Sequence, residues 1–496
     1  MSPNASAQIE SMRFELGRRL TRFEKAWETG DSQRRAACVE TMEVAVKSFF
    51  GLQLDTAAQS LDRATQNVLG EPEATTLLWL AANRYSIDFE TSWIDSKGGP
   101  LRFRLRRLAG ATSSTKRIEP LVGNLQMSLQ DGSTPMATME WSDVIPLSEN
   151  KTSSETESQE PGLEPEQWYT WDLPALPPGD YQVSAACAIA DGKYDLIAER
   201  ISVSIDLQSR LQKAQAWYEE NRKGKGDTIV STMRWLAREL RQGFKGEPTE
   251  IDIPWNAWLS DFEALRDSGG DHLKSMVREP NAGASQRSCW LQLNNGEKTQ
   301  IVRLGIPKPP RSRLPVLFAF HGAGGSENMF FEAYGAGRLV NLANDRGWLV
   351  VSPRQSFSGL GMDIREILDE LEKWFPIDRD QVMLAGHSMG AAQAVNQVSI
   401  HPKEVKAVAA LGGGGMPRSS LRSNPVPFFV AAGDRDFGRP RAKSLAESLR
   451  NLNCNVDYRD YPNVEHMVIV QAALDDVFAF LDDYAKNPNS TSAVGK

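Results

Sequence analysis

Ser388, His466 and a carboxylate at Asp436 or Asp434 are the residues whose types and order could do chemistry together. A serine hydroxyl is a weak nucleophile at neutral pH and needs a base to remove its proton during attack. Imidazole, with an ordinary pKa of about 6.5, can accept that proton and return it to a leaving group. A carboxylate fixes the imidazole tautomer and stabilises the cation as it forms. Ser388 is therefore read as nucleophile, His466 as base and Asp436 as the orienting acid. An ordinary helix N-cap is the plain alternative for Ser388. The base follows by elimination among five histidines. His272 lies outside this region, His321 belongs to a glycine turn, His401 precedes Pro402, and His387 is expected to pack beneath the serine. Asp436 is favoured over Asp434 because it stands three residues past Gly433 and has left the strand, whereas Asp434 can bond the local backbone of its turn.

The elements that must position these groups are legible around them. Val382, Met383, Leu384 and Ala385 form a short apolar run, Gly386-His387-Ser388-Met389-Gly390 follows, and a helical stretch begins at Ala391. Strand, sharp turn and helix in that order put the serine at a strained apex, with glycines where side chains would clash. Upstream, the apolar run Leu314 to Phe320 ends in His321-Gly322-Ala323-Gly324-Gly325, whose backbone N–H groups could meet a developing oxyanion. The expected donors are Ala323 and Met389, with Gly324 as a third candidate. Downstream, Val426 to Ala432 is a strand capped by Gly433-Asp434-Arg435-Asp436, and Val456 to Tyr461 is another that runs into Pro462-Asn463-Val464-Glu465-His466. Helical spacing of Ile364, Ile367, Leu368, Leu371 and Phe375, and of Ala442, Leu445, Leu449 and Leu452, fills the intervals. Alternation of this kind predicts a mostly parallel sheet with helices on both faces.

From about Cys289 to Tyr484 the chain resembles an α/β-hydrolase serine esterase, in the compact branch of polyhydroxybutyrate depolymerase-like and feruloyl- or acetylxylan-esterase-like enzymes. The residues that carry the resemblance are His321–Gly325, Phe375-Pro376-Ile377-Asp378, Gly386–Gly390, Gly433–Asp436 and Glu465-His466. The Ser, Asp, His order is also that of the α/β-hydrolases. The resemblance implies hydrolysis of carboxylic esters through an acyl-enzyme, with no metal or organic cofactor. Unlike lipases and dehalogenases, the chain has little room for a lid: its spare segments near the rim are Gln355 to Met362 and Gly412 to Asn424. An open site of this kind suits a bulky or polymeric ester.

Composition sets limits on the rest. With 496 residues the chain is too long for one ordinary domain. Its 56 Lys and Arg against 64 Asp and Glu give a formal charge of -8, which argues against nucleic-acid binding. No run of apolar residues is long enough to span a membrane, and Met1 to Gly30 lacks a basic-then-apolar leader, so a cytoplasmic address is expected unless the start codon is mis-called and hides an export signal. Cys38, Cys187, Cys289 and Cys454 lie far apart and suggest neither a disulfide framework nor a metal site.

The expected organisation is multidomain: a helical bundle over 1–75, an immunoglobulin-like β-sandwich over 84–205, a helical connector over 206–275, the α/β-hydrolase over 285–486, and a flexible tail over 487–496. The sandwich is read from period-two alternation at Ser86 to Glu90 and at Leu101, Phe103 and Leu105, and from the Pro177-Pro178-Gly179-Asp180-Tyr181 entry to a strand. Within it, the glutamate-rich segment 148–167 reads as a disordered loop. Trp141, Trp168, Tyr169 and Trp171 are core candidates first and a sugar-stacking platform second. The N-terminal domains could serve as protein or carbohydrate contacts. Two further functional readings stand beside the esterase: a serine peptidase with the same triad, and a non-catalytic interaction protein on a hydrolase scaffold.

Overall fold

The computed structural model describes residues 16–69, 85–107, 122–146, 168–224, 226–245, 251–277, 287–307, 312–355 and 361–486, apart from a few positions within those ranges. The glutamate-rich segment 148–167, most of the rim segment 355–362 and the tail 487–496 lie outside them. The chain divides into two compact units. One takes in 48–219 and 237–261, the other 20–47, 220–236 and 262–496.

In the first unit, alternating side chains build two sheets over a shared core. Strands β1 (Tyr85–Phe89), β3 (Gly99–Arg107) and β6 (Trp168–Leu173) form one antiparallel sheet. Strands β2 (Trp93–Asp95), β4 (Val122–Asp131), β5 (Thr134–Pro146), β7 (Gly179–Ile189), β8 (Gly192–Leu196) and β9 (Arg200–Ser204) form the other. Ile87, Leu101, Phe103 and Trp171 from the first meet Leu125, Leu129, Tyr181, Val183 and Ile201 from the second in one buried cluster. The Tyr181 hydroxyl donates to the Pro177 carbonyl oxygen at 2.7 Å and pins the entry to β7. Trp171 is core, while Trp168 lies at the surface between the guanidinium groups of Arg102 and Arg104, so the aromatic run does not present one flat platform.

The second unit is built on eight strands: β10 (Arg287–Asn294), β11 (Thr299–Ile306), β12 (Leu314–Phe320), β13 (Leu349–Pro353), β14 (Ile377–His387), β15 (Ala407–Leu411), β16 (Phe428–Gly433) and β17 (Val456–Tyr461). Their order across the sheet is β10-β11-β13-β12-β14-β15-β16-β17. The β10–β11 and β11–β13 pairs are antiparallel, and every pair from β13 to β17 is parallel. Strands buried on both faces need apolar side chains throughout, and β12, β13, β15 and β16 are buried at every position. Helices Ile364–Leu371, Met389–Ile400, Arg439–Asn451 and Ile469–Lys486 supply the cover. The first begins with a capping box in which Asp363 and Glu366 exchange side-chain and backbone bonds. This order and these directions make the unit an α/β-hydrolase fold. Crossovers of such a sheet deliver their loops to the carboxyl ends of the strands, and the candidate residues follow β12, β14, β16 and β17.

Candidate active site

The serine owes its position to backbone strain. Ser388 lies between β14 and the helix Met389–Ile400 with φ 57 and ψ -115, a left-handed conformation that a side-chain-bearing residue rarely adopts. Its N–H donates to the Leu411 carbonyl at 2.8 Å, and its own carbonyl accepts from Ala391 at 3.1 Å. The flanking glycines are obligatory. A Cβ on Gly386 would strike the Gly390 carbonyl, one on Gly390 would strike that of Phe320, and one on Gly413 would strike that of Ser388.

The turn Gly433 to Gly438 and the loop Pro462 to His466 are laced together before either side chain is considered. Asp434 N–H donates to Tyr461 and Arg435 N–H to Val464, at 2.9 and 3.2 Å. The lacing carries Asp436 to the imidazole: His466 Nδ1 lies 2.7 Å from Asp436 Oδ1, and His466 Nε2 lies 2.9 Å from Ser388 Oγ. Asp436 Oδ1 also accepts the Gly438 N–H at 2.6 Å. Asp436 and His466 are buried, while Asp434 is exposed and is tied through its backbone N–H to the Tyr461 carbonyl of β17. The structure thus brings Ser388, His466 and Asp436 together and leaves Asp434 apart.

The glycine turn after β12 abuts the same serine. A Cβ on Gly322 would lie 3.5 Å from Ser388 Cβ. Ala323 is half-buried, and Gly324, with φ 81, is at the exposed corner of the turn that the Gly325 N–H closes on the Gly322 carbonyl at 3.3 Å. Met389 opens the elbow helix, where the first N–H groups have no intrahelical acceptor. His321 serves the turn itself. Its Nδ1–H donates to Gly322 O at 2.8 Å and its Nε2 accepts the Gln355 N–H at 3.1 Å, and burial lowers its pKa.

Tyr334 and Phe437, which the sequence did not single out, and Glu465, named there only as part of its loop and of the resemblance, complete the surroundings. Tyr334 is buried, with its hydroxyl 2.7 Å from His387 Nδ1 and accepting the Gly322 N–H at 3.2 Å. Glu465, beside the imidazole in sequence, accepts the N–H groups of Met467 and Val468 at 2.9 Å each and so caps the entry to the C-terminal helix. Phe437 lies against the His466 ring, centroids 3.9 Å apart, yet is 54% exposed. The one signal for Phe437 in the sequence was its adjacency to the acid.

The arrangement can take a proton from Ser388, hold an imidazolium against a buried carboxylate, and offer backbone donors across the serine. Among the described residues no group of three His, Cys, Asp or Glu is placed to hold a metal ion, and no helix is long and apolar enough to cross a membrane.

No protein-family model matches the chain. Over 134 residues it is 28% identical to a bifunctional acetylxylan esterase/xylanase of Neocallimastix patriciarum, a match that takes in 25% of this chain and 19% of that protein. Among solved structures it is similar to an S-formylglutathione hydrolase from Staphylococcus aureus, at 15% identity over 40% of this chain and 98% of that one, with a TM-score of 0.34. It is likewise similar to a ferulic acid esterase from Anaeromyces mucronatus, at 15% identity over 42% and 94%, with a TM-score of 0.34. The first and third are esterases by name and the second is a hydrolase by name.

Proposed function

We propose that the chain is a serine hydrolase of carboxylic esters that works through an acyl-enzyme. The observation that carries the reading is the unbroken line from Ser388 Oγ through His466 to Asp436, at 2.9 and 2.7 Å. Ser388 Oγ attacks the ester carbonyl carbon as its proton passes to His466 Nε2. The carbonyl oxygen becomes an oxyanion between the N–H groups of Ala323 and Met389, with Gly324 as a third donor. One such donor is worth about 2.7–4 kcal/mol in the transition state. Collapse breaks the bond to the alcohol oxygen, which leaves with the proton held by His466. Water then repeats the sequence: His466 takes its proton, its oxygen attacks the acyl carbon, and the acid departs as Ser388 recovers its hydrogen. The buried carboxylate of Asp436 stabilises the imidazolium in both halves.

The substrate is an ester with a bulky alcohol side, such as a side-chain ester on a polysaccharide. Two features support this. Between β15 and β16 the rim holds only the loop 412–424 with its short helix Ser420–Ser423, and Met416 on that loop is 90% exposed. Phe437 offers an aromatic face beside the imidazole that protonates the departing alcohol. The name of the Neocallimastix relative is in keeping with such a substrate. In the front half, the sandwich is read as an immunoglobulin-like accessory domain, supported by the Tyr181 hydroxyl bond to Pro177, which has the form of a tyrosine corner.

The test is a fluorophosphonate probe on the full chain, followed by a panel of aryl, feruloyl and acetyl sugar esters. Native protein should be labelled and should turn over esters; Ser388→Ala should do neither. Equal labelling of both proteins refutes the nucleophile assignment.

A further inference from the structure

We propose that Glu24 is a positioning residue for this site, acting through Tyr334; the inference rests on the esterase reading above. Glu24 is 1% exposed and belongs to the same compact unit as the eight-stranded sheet. Its Oε2 accepts the Gly335 N–H at 2.7 Å across 311 residues of sequence, and the Ala336 N–H is turned to the same carboxyl. The main chain of the segment is held as well, since Gln471 Nε2 donates to the Glu24 carbonyl at 3.0 Å and Thr21 Oγ1 to that of Glu332 at 3.0 Å.

The turn that Glu24 fills is unusual. Tyr334, Gly335, Ala336 and Gly337 all have left-handed φ, at 38, 75, 52 and 82. Two of the four are not glycine, so the turn is strained and needs partners to hold it. Successive N–H groups in such a turn converge on an acceptor, and a carboxyl oxygen of Glu24 takes that place. Tyr334 opens the turn, and its side chain points to the reacting groups. Its hydroxyl is the acceptor for Gly322 in the oxyanion turn and the partner of His387, the residue before the nucleophile. His387 in turn bonds the backbone carbonyl of His466 at 2.8 Å. The carboxyl of Glu24 therefore braces a turn whose first side chain bonds both the oxyanion turn and the elbow.

A second arm reaches the helix that follows the base loop, where Gln471 holds the Glu24 carbonyl. Glu465 is buried and lies within electrostatic reach of Glu24. Among the described residues neither Glu24 Oε1 nor Glu465 Oε2 has a hydrogen-bond partner, which a carboxyl keeping its proton tolerates better than a carboxylate does. The segment around Glu24 thus supports the site through the Tyr334 turn and Gln471.

The experiment uses the full chain and measures kcat and KM on an aryl ester, with active-site titration by fluorophosphonate and a melting curve for each variant. Glu24→Ala should lower kcat per titrated site by about 10- to 100-fold with little change in KM, the scale expected when catalytic groups shift by about an ångström. Glu24→Gln should recover most of kcat, because its amide oxygen can still accept from the turn. Tyr334→Phe should show a loss like that of Glu24→Ala, and the double variant should be no worse than the poorer single one, as for residues acting along one route. If Glu24→Ala does not fold, Glu24→Asp replaces it: its shorter reach should still reduce kcat where Glu24→Gln does not. Wild-type kcat in Glu24→Ala or Glu24→Asp, or losses that multiply in the double variant, would overturn the proposal. Full activity in Ser388→Ala would instead overturn the esterase reading.

Discussion

His387 and His466 lie with their ring centroids 4.7 Å apart, and the first holds the second by its backbone: His387 Nε2 is 2.8 Å from the His466 carbonyl oxygen. The carbonyl can only accept, so His387 carries its hydrogen on Nε2 and receives the Tyr334 hydroxyl at Nδ1. Burial, with His466 alongside, holds its pKa well below the ordinary histidine value, so it stays neutral. The base therefore has a neutral imidazole behind it, and not a second cation that would oppose its protonation. Replacing His387 by alanine should strand two buried polar groups. The expected loss is about 2–6 kcal/mol in urea unfolding, from roughly 1–3 kcal/mol per stranded group. A loss under about 0.5 kcal/mol, the range of ordinary surface changes, would count against this role.

The acid can be separated from its neighbour by rate. Asp436→Asn should lower kcat by about ten thousand-fold, as the corresponding change does in the protease triad. Asp434→Asn should leave kcat within about a factor of two, as expected of an exposed turn residue. Steady-state kinetics on one aryl ester decide the matter, and a larger loss at Asp434 would transfer the role to it.

Phe437 should act on the alcohol and not on the acyl group. Esters that share one acyl group and differ in alcohol pass through a common acyl-enzyme. Phe437→Ala should therefore cut acylation by aryl esters relative to methyl esters by roughly 2- to 10-fold, from about 0.5–1.5 kcal/mol per aromatic pair. Deacylation should be unchanged. Stopped-flow traces that show deacylation slowed as much as acylation would mean that Phe437 merely braces His466.

The buried carboxyls give a pH dependence with a definite sign. Burial is the leading cause that pushes Glu24 up to about 8 and Glu465 up to about 7. In an unfolded chain glutamate titrates near about 4.3. Between those values the folded state holds protons that the unfolded state has lost, so stability is fully present below about pH 4.3 and falls as pH rises toward 8. Melting temperatures from pH 5 to 9 should decline in the wild type and less steeply in Glu24→Gln. Parallel curves would dispose of the titration.

Much of the α/β unit was legible because its local signals agree with its global packing. Ile364, Ile367, Leu368, Leu371 and Phe375 are all buried, as their helical spacing required. The elbow could be read because strand, glycine, serine and helix are contiguous, and Asp436 stood out from Asp434 by its distance past the strand. The supporting shell could not be read. Tyr334 and Ala336 adopt a left-handed backbone that their residue types disfavour, so nothing local marks that turn. Glu24 stands in an amphipathic helix, where a glutamate normally reads as solvated. Its burial depends on a contact across 311 residues, which no periodicity reveals. The exposed Phe437 was invisible for the opposite reason, because apolar side chains are expected to be inside.

Ser388, Asp436 and His466 stand on three separate connections that leave one end of the parallel strands, with the connection of residues 412–424 between them. That connection is tied down at both sides of its exposed Met416, by Gly413 against Ser388 and by Arg418 and Ser420 on Ser399. Insertions beside Met416 would widen, narrow or roof the crevice while those ties and the sheet stay in place. The same chemistry can thus be retargeted by loop grafting, and a short rim is a starting point for that kind of divergence.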